Sequence, residues 1–174
     1  MSTSKIILIG YMGSGKTVVG KELARQRNLR FVDLDDYLED QTGNSIPEIF
    51  QNKGEIFFRK EEHKYLKEVL NSNENLVLST GGGTPCYSGN MELLLQATPN
   101  VFYLQMSVGG LVQRLSLEKD NRPVISHLEK EELPDYIGKH IFERQAFYTR
   151  ATHTIPCDGK SVEEIVNSIS DLLV

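Results

Sequence analysis

Apolar residues along this chain fall into short runs separated by stretches of helical spacing. Ile6, Ile7, Leu8 and Ile9 form an unbroken apolar run that stops at Gly10, the pattern of a short strand buried on both faces. Val18, Val19, Leu23 and Ala24 keep helical spacing to about Arg27, and Phe31, Val32 and Leu34 predict a second strand running into Asp35 and Asp36. Ser45 and Glu48 around Pro47 form a capping box that starts a short helix, interrupted by Gly54 before a longer helix from Glu55 to about Leu70. Leu76 to Ser79 predict a third strand, followed at once by Gly81, Gly82 and Gly83. Met91, Leu93, Leu94 and Leu95 mark a helix, Val101 to Met106 a fourth strand, and Ser107 the cap of a helix towards Leu117. From Glu118 to about Glu132 periodicity gives way to charges around Pro123. Ile137, Ile141, Phe142 and Phe147 restore helical spacing, a last short strand lies around Thr154 and Ile155, and Ser161 with Glu164 caps a C-terminal helix.

Five short apolar strands alternating with helices predict an α/β fold with a parallel sheet covered on both faces. In such folds the working residues lie beyond the carboxyl ends of the strands, so the segments after each strand are the ones to search. The chain has 174 residues, of which 39% are hydrophobic, enough for one well-filled core and too few for two ordinary domains. The expectation is one domain over residues 1–174, with no internal repeat or linker.

The net charge of −5 comes from 19 basic and 24 acidic residues with no long run of one sign, which argues against a nucleic-acid surface. Cys86 and Cys157 stand apart without metal-ligand spacing, so neither a disulfide framework nor a zinc site is indicated. A reducing, cytoplasmic setting fits. No apolar stretch approaches a membrane span, and the N-terminal run is too short for a signal peptide. Nothing in the sequence demands more than a monomer.

The most specific chemistry follows the first strand. Residues 10–17 read GYMGSGKT, a full match to the G-x-x-x-x-G-K-[ST] phosphate-binding loop. Gly10, Gly13 and Gly15 let backbone N–H groups turn inward around an anion, and the helix that follows adds the positive end of its dipole. Lys16 supplies a mobile charge for β and γ phosphates, and the Thr17 hydroxyl is placed to ligate Mg²⁺. The nucleotide-binding set is therefore Gly13, Ser14, Gly15, Lys16, Thr17 and Val18.

Other constellations carry two readings each. Asp33 and Asp35 lie two residues apart, on one face if the strand continues that far, and can serve a Mg²⁺ shell and an acceptor hydroxyl. Alternatively Asp35 or Asp36 only caps the next helix. Glu55, Arg59 and Glu62 form a helical stripe that is in isolation a solvated ion-pair ladder. Gly81 to Gly83 form either a permissive turn or a bed where a ligand lies on bare backbone. Arg114, Arg122, Arg144 and Arg150 flank the unpatterned segment, as surface arginines or as guanidinium groups brought over phosphates by a mobile lid.

The loop alone does not separate kinases from ATPases and GTPases. Asn52-Lys53-Gly54-Glu55 lacks the terminal Asp of a guanine-specificity motif and lies between helices, and the third and fourth strands end without acids. The strand-end acids belong to the second strand, the pattern of small-metabolite kinases. Over nearly its whole length the chain resembles the shikimate kinase family. The resemblance is carried by GYMGSGKT, by Asp33 and Asp35, by Gly54-Glu55-x-x-Phe58-Arg59-x-x-Glu62, by Gly81 to Gly83, by Arg122-Pro123 and by Glu143-Arg144-x-x-x-Tyr148.

That resemblance implies a P-loop fold, a three-layer αβα sandwich with strand order 2-3-1-4-5. It implies ATP-dependent phosphorylation of the 3-hydroxyl of shikimate in aromatic amino-acid synthesis, with ATP and Mg²⁺. Asp35, Arg59, Gly81, Gly82, Gly83 and Arg144 would hold shikimate, within helices spanning about 35–62 and the later Arg144. The two arginines would meet the carboxylate. Asp33 with Thr17 would hold Mg²⁺, Arg122 would reach the phosphates from a lid at about 118–132, and Arg114 would lie near adenine. Lys16, Asp35 and Arg122 would carry the chemistry. Two departures stand out: Arg122-Pro123-Val124-Ile125 where Arg-Pro-Leu-Leu is usual, and Cys157-Asp158-Gly159-Lys160 where many members carry a proline near adenine. Alternatives are a gluconate or nucleoside monophosphate kinase, and a regulatory nucleotide-binding module without catalysis.

Overall fold

The Ile6–Ile9 run occupies the middle of a sheet, where a strand must be apolar on both faces. In the computed structural model, which describes residues 4–174, β1 (Lys5–Ile9) is buried along its whole length. It lies between β3 (Leu76–Ser79) and β4 (Val101–Gln105), with β2 (Arg30–Asp33) and β5 (His153–Pro156) at the edges. All pairings are parallel and the order is β2-β3-β1-β4-β5. Leu8 registers with Ser79 and Ile9 with Tyr103, so β1 and β3 end within a residue of each other while β4 runs on to Gln105, and the loops that follow all three leave the same edge of the sheet.

Helices cover both faces. They are α1 (Lys16–Arg27), α2 (Leu34–Thr42), α3 (Ile46–Asn71), α4 (Asn90–Ala97), α5 (Val108–Glu118), α6 (Pro123–Ser126), α7 (Leu133–Tyr148) and α8 (Val162–Leu172). α1 packs on α8, α5 on α7, and α2 on α3. One core cluster runs through the sheet, and a smaller one of Leu38, Ile49, Phe58 and Tyr65 joins α2 to α3. The capping boxes at Ser45/Glu48 and Ser161/Glu164 are both formed, and Ser107 accepts from the Gly110 N–H. Gly54 breaks α3 at φ 81°, ψ 174°, with open space where a Cβ would project, so backbone conformation selects glycine there.

Two sequence expectations are corrected. β2 ends at Asp33, and Leu34 begins a helix, so Asp33 and Asp35 do not share a strand face. Asp33 itself is the cap, accepting from the Asp35 N–H at 3.0 Å and the Asp36 N–H at 3.3 Å. The segment 118–132 is also more ordered than its charges suggested. After α5 it forms a 3-10 turn (Lys119–Asn121), α6 and a second 3-10 turn (Lys130–Glu132). Ile125 is fully buried in the main core. A single buried residue among three short turns pins the segment without producing a period that sequence inspection can detect.

Candidate active site

The phosphate loop folds as its glycines require. Gly13 and Gly15 have φ of 81° and 95°, and a Cβ on Gly10 would lie 2.8 Å from the Leu104 carbonyl oxygen. Lys16, buried at the start of α1, donates to the carbonyls of Gly10 at 2.7 Å and Tyr11 at 2.9 Å. Burial pulls its amine down to about 8, against the opposing influence of Asp35 and Asp33. Thr17 Oγ1 donates to Asp33 Oδ2 at 3.2 Å, so the two carboxylate oxygens of Asp33 divide their work between capping α2 and meeting the loop.

A cleft of about 510 Å³ opens over this loop. Asp33, Asp35, Gly81, Gly82, Arg114 and Arg122 line it with the loop residues, Val18 among them. Arg114 donates to the Gly13 carbonyl at 3.2 Å. Arg122 lies at the rim and pairs with Glu118, its Nε at 2.8 Å and Nη2 at 2.5 Å from the same oxygen. Arg150 is not part of the cleft and pairs with Glu92. The 157–160 loop is held without a proline: Asp158 accepts from the Ser107 N–H at 2.9 Å and its hydroxyl at 2.6 Å.

The glycine triplet brings the remaining candidates together, one apiece. A Cβ on Gly81 would lie 3.1 Å from Asp35 Oδ1, on Gly82 3.3 Å from Arg144 Nη1, and on Gly83 2.9 Å from Arg59 Nη2. Three successive residues without side chains thus let one carboxylate and two guanidinium groups approach the same stretch of backbone. Burial pushes the Asp35 carboxyl up to about 7, with Asp33 and Glu62 adding to the rise and Lys16 opposing it.

Four supporting side chains had no assigned role in the sequence reading. Glu62 is buried, accepts from Arg59 Nη1 at 2.8 Å and from the Thr84 hydroxyl at 2.9 Å, and so anchors Arg59 to the segment after the triplet. The i, i+7 stripe with Glu55 hid this, because the outer member is solvated while the inner one is not. Tyr148 donates to the Gly82 carbonyl at 2.5 Å. Tyr87 lies against Arg59, and Tyr11 against Arg144 with its hydroxyl 2.9 Å from His140 Nδ1. No spacing rule reveals a pairing between positions 11 and 140.

Among the described residues no group of three or more His, Cys, Asp or Glu is arranged to hold a metal ion. Thr17 and Asp33 nonetheless suit Mg²⁺ at a nucleotide. Their oxygens are 3.2 Å apart, near the roughly 3 Å edge of an octahedron with bonds of about 2.1 Å, and phosphate oxygens and waters ordinarily complete such a shell.

The family model described as shikimate kinase matches residues 12–174. The shikimate kinase of Flavobacterium psychrophilum is 44% identical over 169 residues, covering 97% of this chain and 98% of the relative. The crystal structure of shikimate kinase from Bacteroides thetaiotaomicron superposes with a TM-score of 0.90 at 37% identity, covering 97% of each chain. The shikimate kinase of Acinetobacter baumannii in complex with shikimate gives a TM-score of 0.87 at 34% identity, covering 98% of this chain and 93% of the other. Sequence and fold agree over almost the entire length, and this chain belongs to the shikimate kinase family.

Proposed function

We propose that the protein transfers the γ-phosphoryl group of ATP to the 3-hydroxyl of shikimate, giving shikimate 3-phosphate and ADP for aromatic amino-acid synthesis. The observation that carries this reading is the glycine triplet, whose three members face Asp35, Arg144 and Arg59 in turn. Two guanidinium groups beside one carboxylate suit a small polyhydroxy acid, with the arginines on its carboxylate and the aspartate on a hydroxyl.

Phosphoryl transfer needs little covalent work from a protein and is accelerated by positioning and charge neutralisation. Lys16 would exchange the Gly10 and Tyr11 carbonyls for β and γ phosphate oxygens. Arg122 would leave Glu118 for the transferring phosphoryl group, and Arg114, beside Gly13, would lie towards the adenine. Thr17 and Asp33 would hold Mg²⁺, which supplies further neutralisation of phosphate charge. Asp35 would orient the 3-hydroxyl and accept its proton, for which a carboxyl titrating near 7 is suited. Residues 118–132 would act as a lid over this chemistry.

A gluconate or nucleoside monophosphate kinase would share the loop and lid but not require the paired arginines. The two free thiols, Cys86 and Cys157, fit a reducing cytoplasm, and we expect a monomer there. No helix among the described residues is long and apolar enough to cross a membrane. A coupled ADP-release assay over shikimate, gluconate, AMP and CMP tests the assignment. Mg²⁺-dependent turnover should be confined largely to shikimate, and a higher kcat/KM for gluconate or AMP would refute it.

A further inference from the structure

Each of the two site arginines lies over the face of a tyrosine. The Arg59 guanidinium carbon is 3.8 Å from the centre of the Tyr87 ring, and that of Arg144 is 5.4 Å from the centre of Tyr11. Stacking on a ring uses no N–H donor, so it fixes the plane of a guanidinium while leaving its edges free. Arg59 needs such a constraint. Its Nη1 is bonded to Glu62, but its buried Nε has no hydrogen-bond partner and meets only the solvated Glu55 carboxylate at 3.7 Å, with the Phe58 ring farther off at 5.1 Å, so Tyr87 is the nearest group that sets the plane of the fork.

The rings are themselves held. Tyr87 directly follows the 3-10 turn Thr84–Cys86 that leaves the glycine triplet. Thr84 is tied to Glu62 at 2.9 Å, and its carbonyl accepts from Asn90 Nδ2 at 2.9 Å. The ring and the carboxylate that act on Arg59 therefore share one scaffold. Tyr87 also keeps 38% of its surface exposed, so burial in the core does not explain its placement. Tyr11 is buried, its hydroxyl meets His140 one helical turn before Arg144, and Tyr136 packs edge-on against that imidazole at 4.4 Å. The helix that carries Arg144 thus fixes the ring on which Arg144 rests.

We propose that Tyr87 and Tyr11 are positioning residues that hold Arg59 and Arg144 edge-on to the acceptor's carboxylate, one ring from the glycine-triplet segment and one from the phosphate loop. This rests on the reading above that both arginines meet that carboxylate. The rings set acceptor recognition without touching the phosphoryl group.

The test uses the full-length protein, with shikimate and its analogue in which the carboxylate is replaced by a hydroxymethyl group. Tyr87→Leu should raise KM for shikimate by about 5- to 30-fold, far more than KM for ATP, and Tyr87→Phe should recover most of that loss because the ring returns. The same Leu variant should leave kcat/KM for the hydroxymethyl analogue close to the parent value, since that acceptor offers the arginines no carboxylate. Tyr11→Phe, which keeps the buried ring and drops the His140 bond, should resemble Tyr87→Phe more than Tyr87→Leu, with a melting scan verifying that it is folded. Equal losses on both acceptors, or a Phe variant as poor as the Leu variant, would overturn the proposal. A parent enzyme that does not prefer shikimate to the analogue would instead remove the arginine reading beneath it.

Discussion

Asp35 and Lys16 both line the cleft and attract each other while burial opposes the charge of both, leaving the carboxyl near 7 and the amine near 8. If Asp35 works as the carboxylate and Lys16 as the ammonium, kcat/KM rises as pH passes through about 7 and falls as it passes through about 8. The expected profile is a narrow bell, measured with both substrates at low concentration. Asp35→Asn should remove the acid limb. A flat profile from pH 6 to 9 would mean that neither group titrates in the productive free enzyme.

The same burial has a cost in stability. A carboxyl raised in the folded state binds its proton more tightly there than in the unfolded chain, so stability falls as pH rises from the ordinary carboxylate range through about 7. Asp35→Asn removes that penalty. At pH 7.5 it should raise Tm by about 2–4 °C, the shift expected for roughly 1 kcal/mol in a chain of this size, while lowering kcat. A lower Tm would mean that Asp35 holds the fold as well as the substrate.

Asp33 predicts a different response. Asp33→Asn keeps one oxygen to cap α2 but loses the charge facing Thr17. Added Mg²⁺ should recover part of its activity, because hard cations depend on anionic oxygen, and should not rescue Asp35→Asn. A Mg²⁺ titration of both variants checks this, and the reverse pattern would exchange the two roles.

Gly83 has φ −89°, which alanine adopts freely, yet its Cβ would meet Arg59 Nη2 at 2.9 Å. Gly83→Ala should therefore raise KM for shikimate about 10-fold, on the order of 1.4 kcal/mol, with little change in Tm. An unchanged KM would show that the guanidinium moves aside without penalty.

Ile125 tests the proposal that residues 118–132 act as a lid. Truncating a fully buried isoleucine costs about 2–5 kcal/mol, and here the loss should fall first on the short turns around it. Ile125→Ala should accelerate proteolysis within residues 119–132 at least about 10-fold, and ADP with shikimate should slow cleavage in both proteins. Cleavage at the parent rate would mean that the segment is held from elsewhere.

Much of this was legible in the sequence where one residue type answers to one local rule. The caps at Ser45, Ser107 and Ser161, the break at Gly54 and the central β1 follow from hydrogen-bonding inventory and apolar runs. The end of β2 is not encoded locally, because Asp33, Asp35 and Asp36 all satisfy the same capping chemistry and only backbone geometry shows that Asp33 fills it. Ile125 was hidden among charges, and Glu62 by its solvated helical neighbour Glu55. The Tyr11–His140 contact depends on how α7 lies across the sheet, which no local pattern encodes.

The central place of β1 also governs when this protein can begin to work. Its partners are residues 76–79 on one side and 101–103 on the other, and the loop that binds phosphate hangs from its end. Although residues 10–17 leave the ribosome before either partner, their anchor strand has no neighbour until β3 is made and lacks its second neighbour, β4, until more than half the chain has been made. Parallel pairings between such distant segments form slowly, because a long loop must close before any contact rewards it. A nascent chain that ends before β4 should therefore fail to retain nucleotide, and nucleotide binding during synthesis or refolding would report closure of the whole sheet.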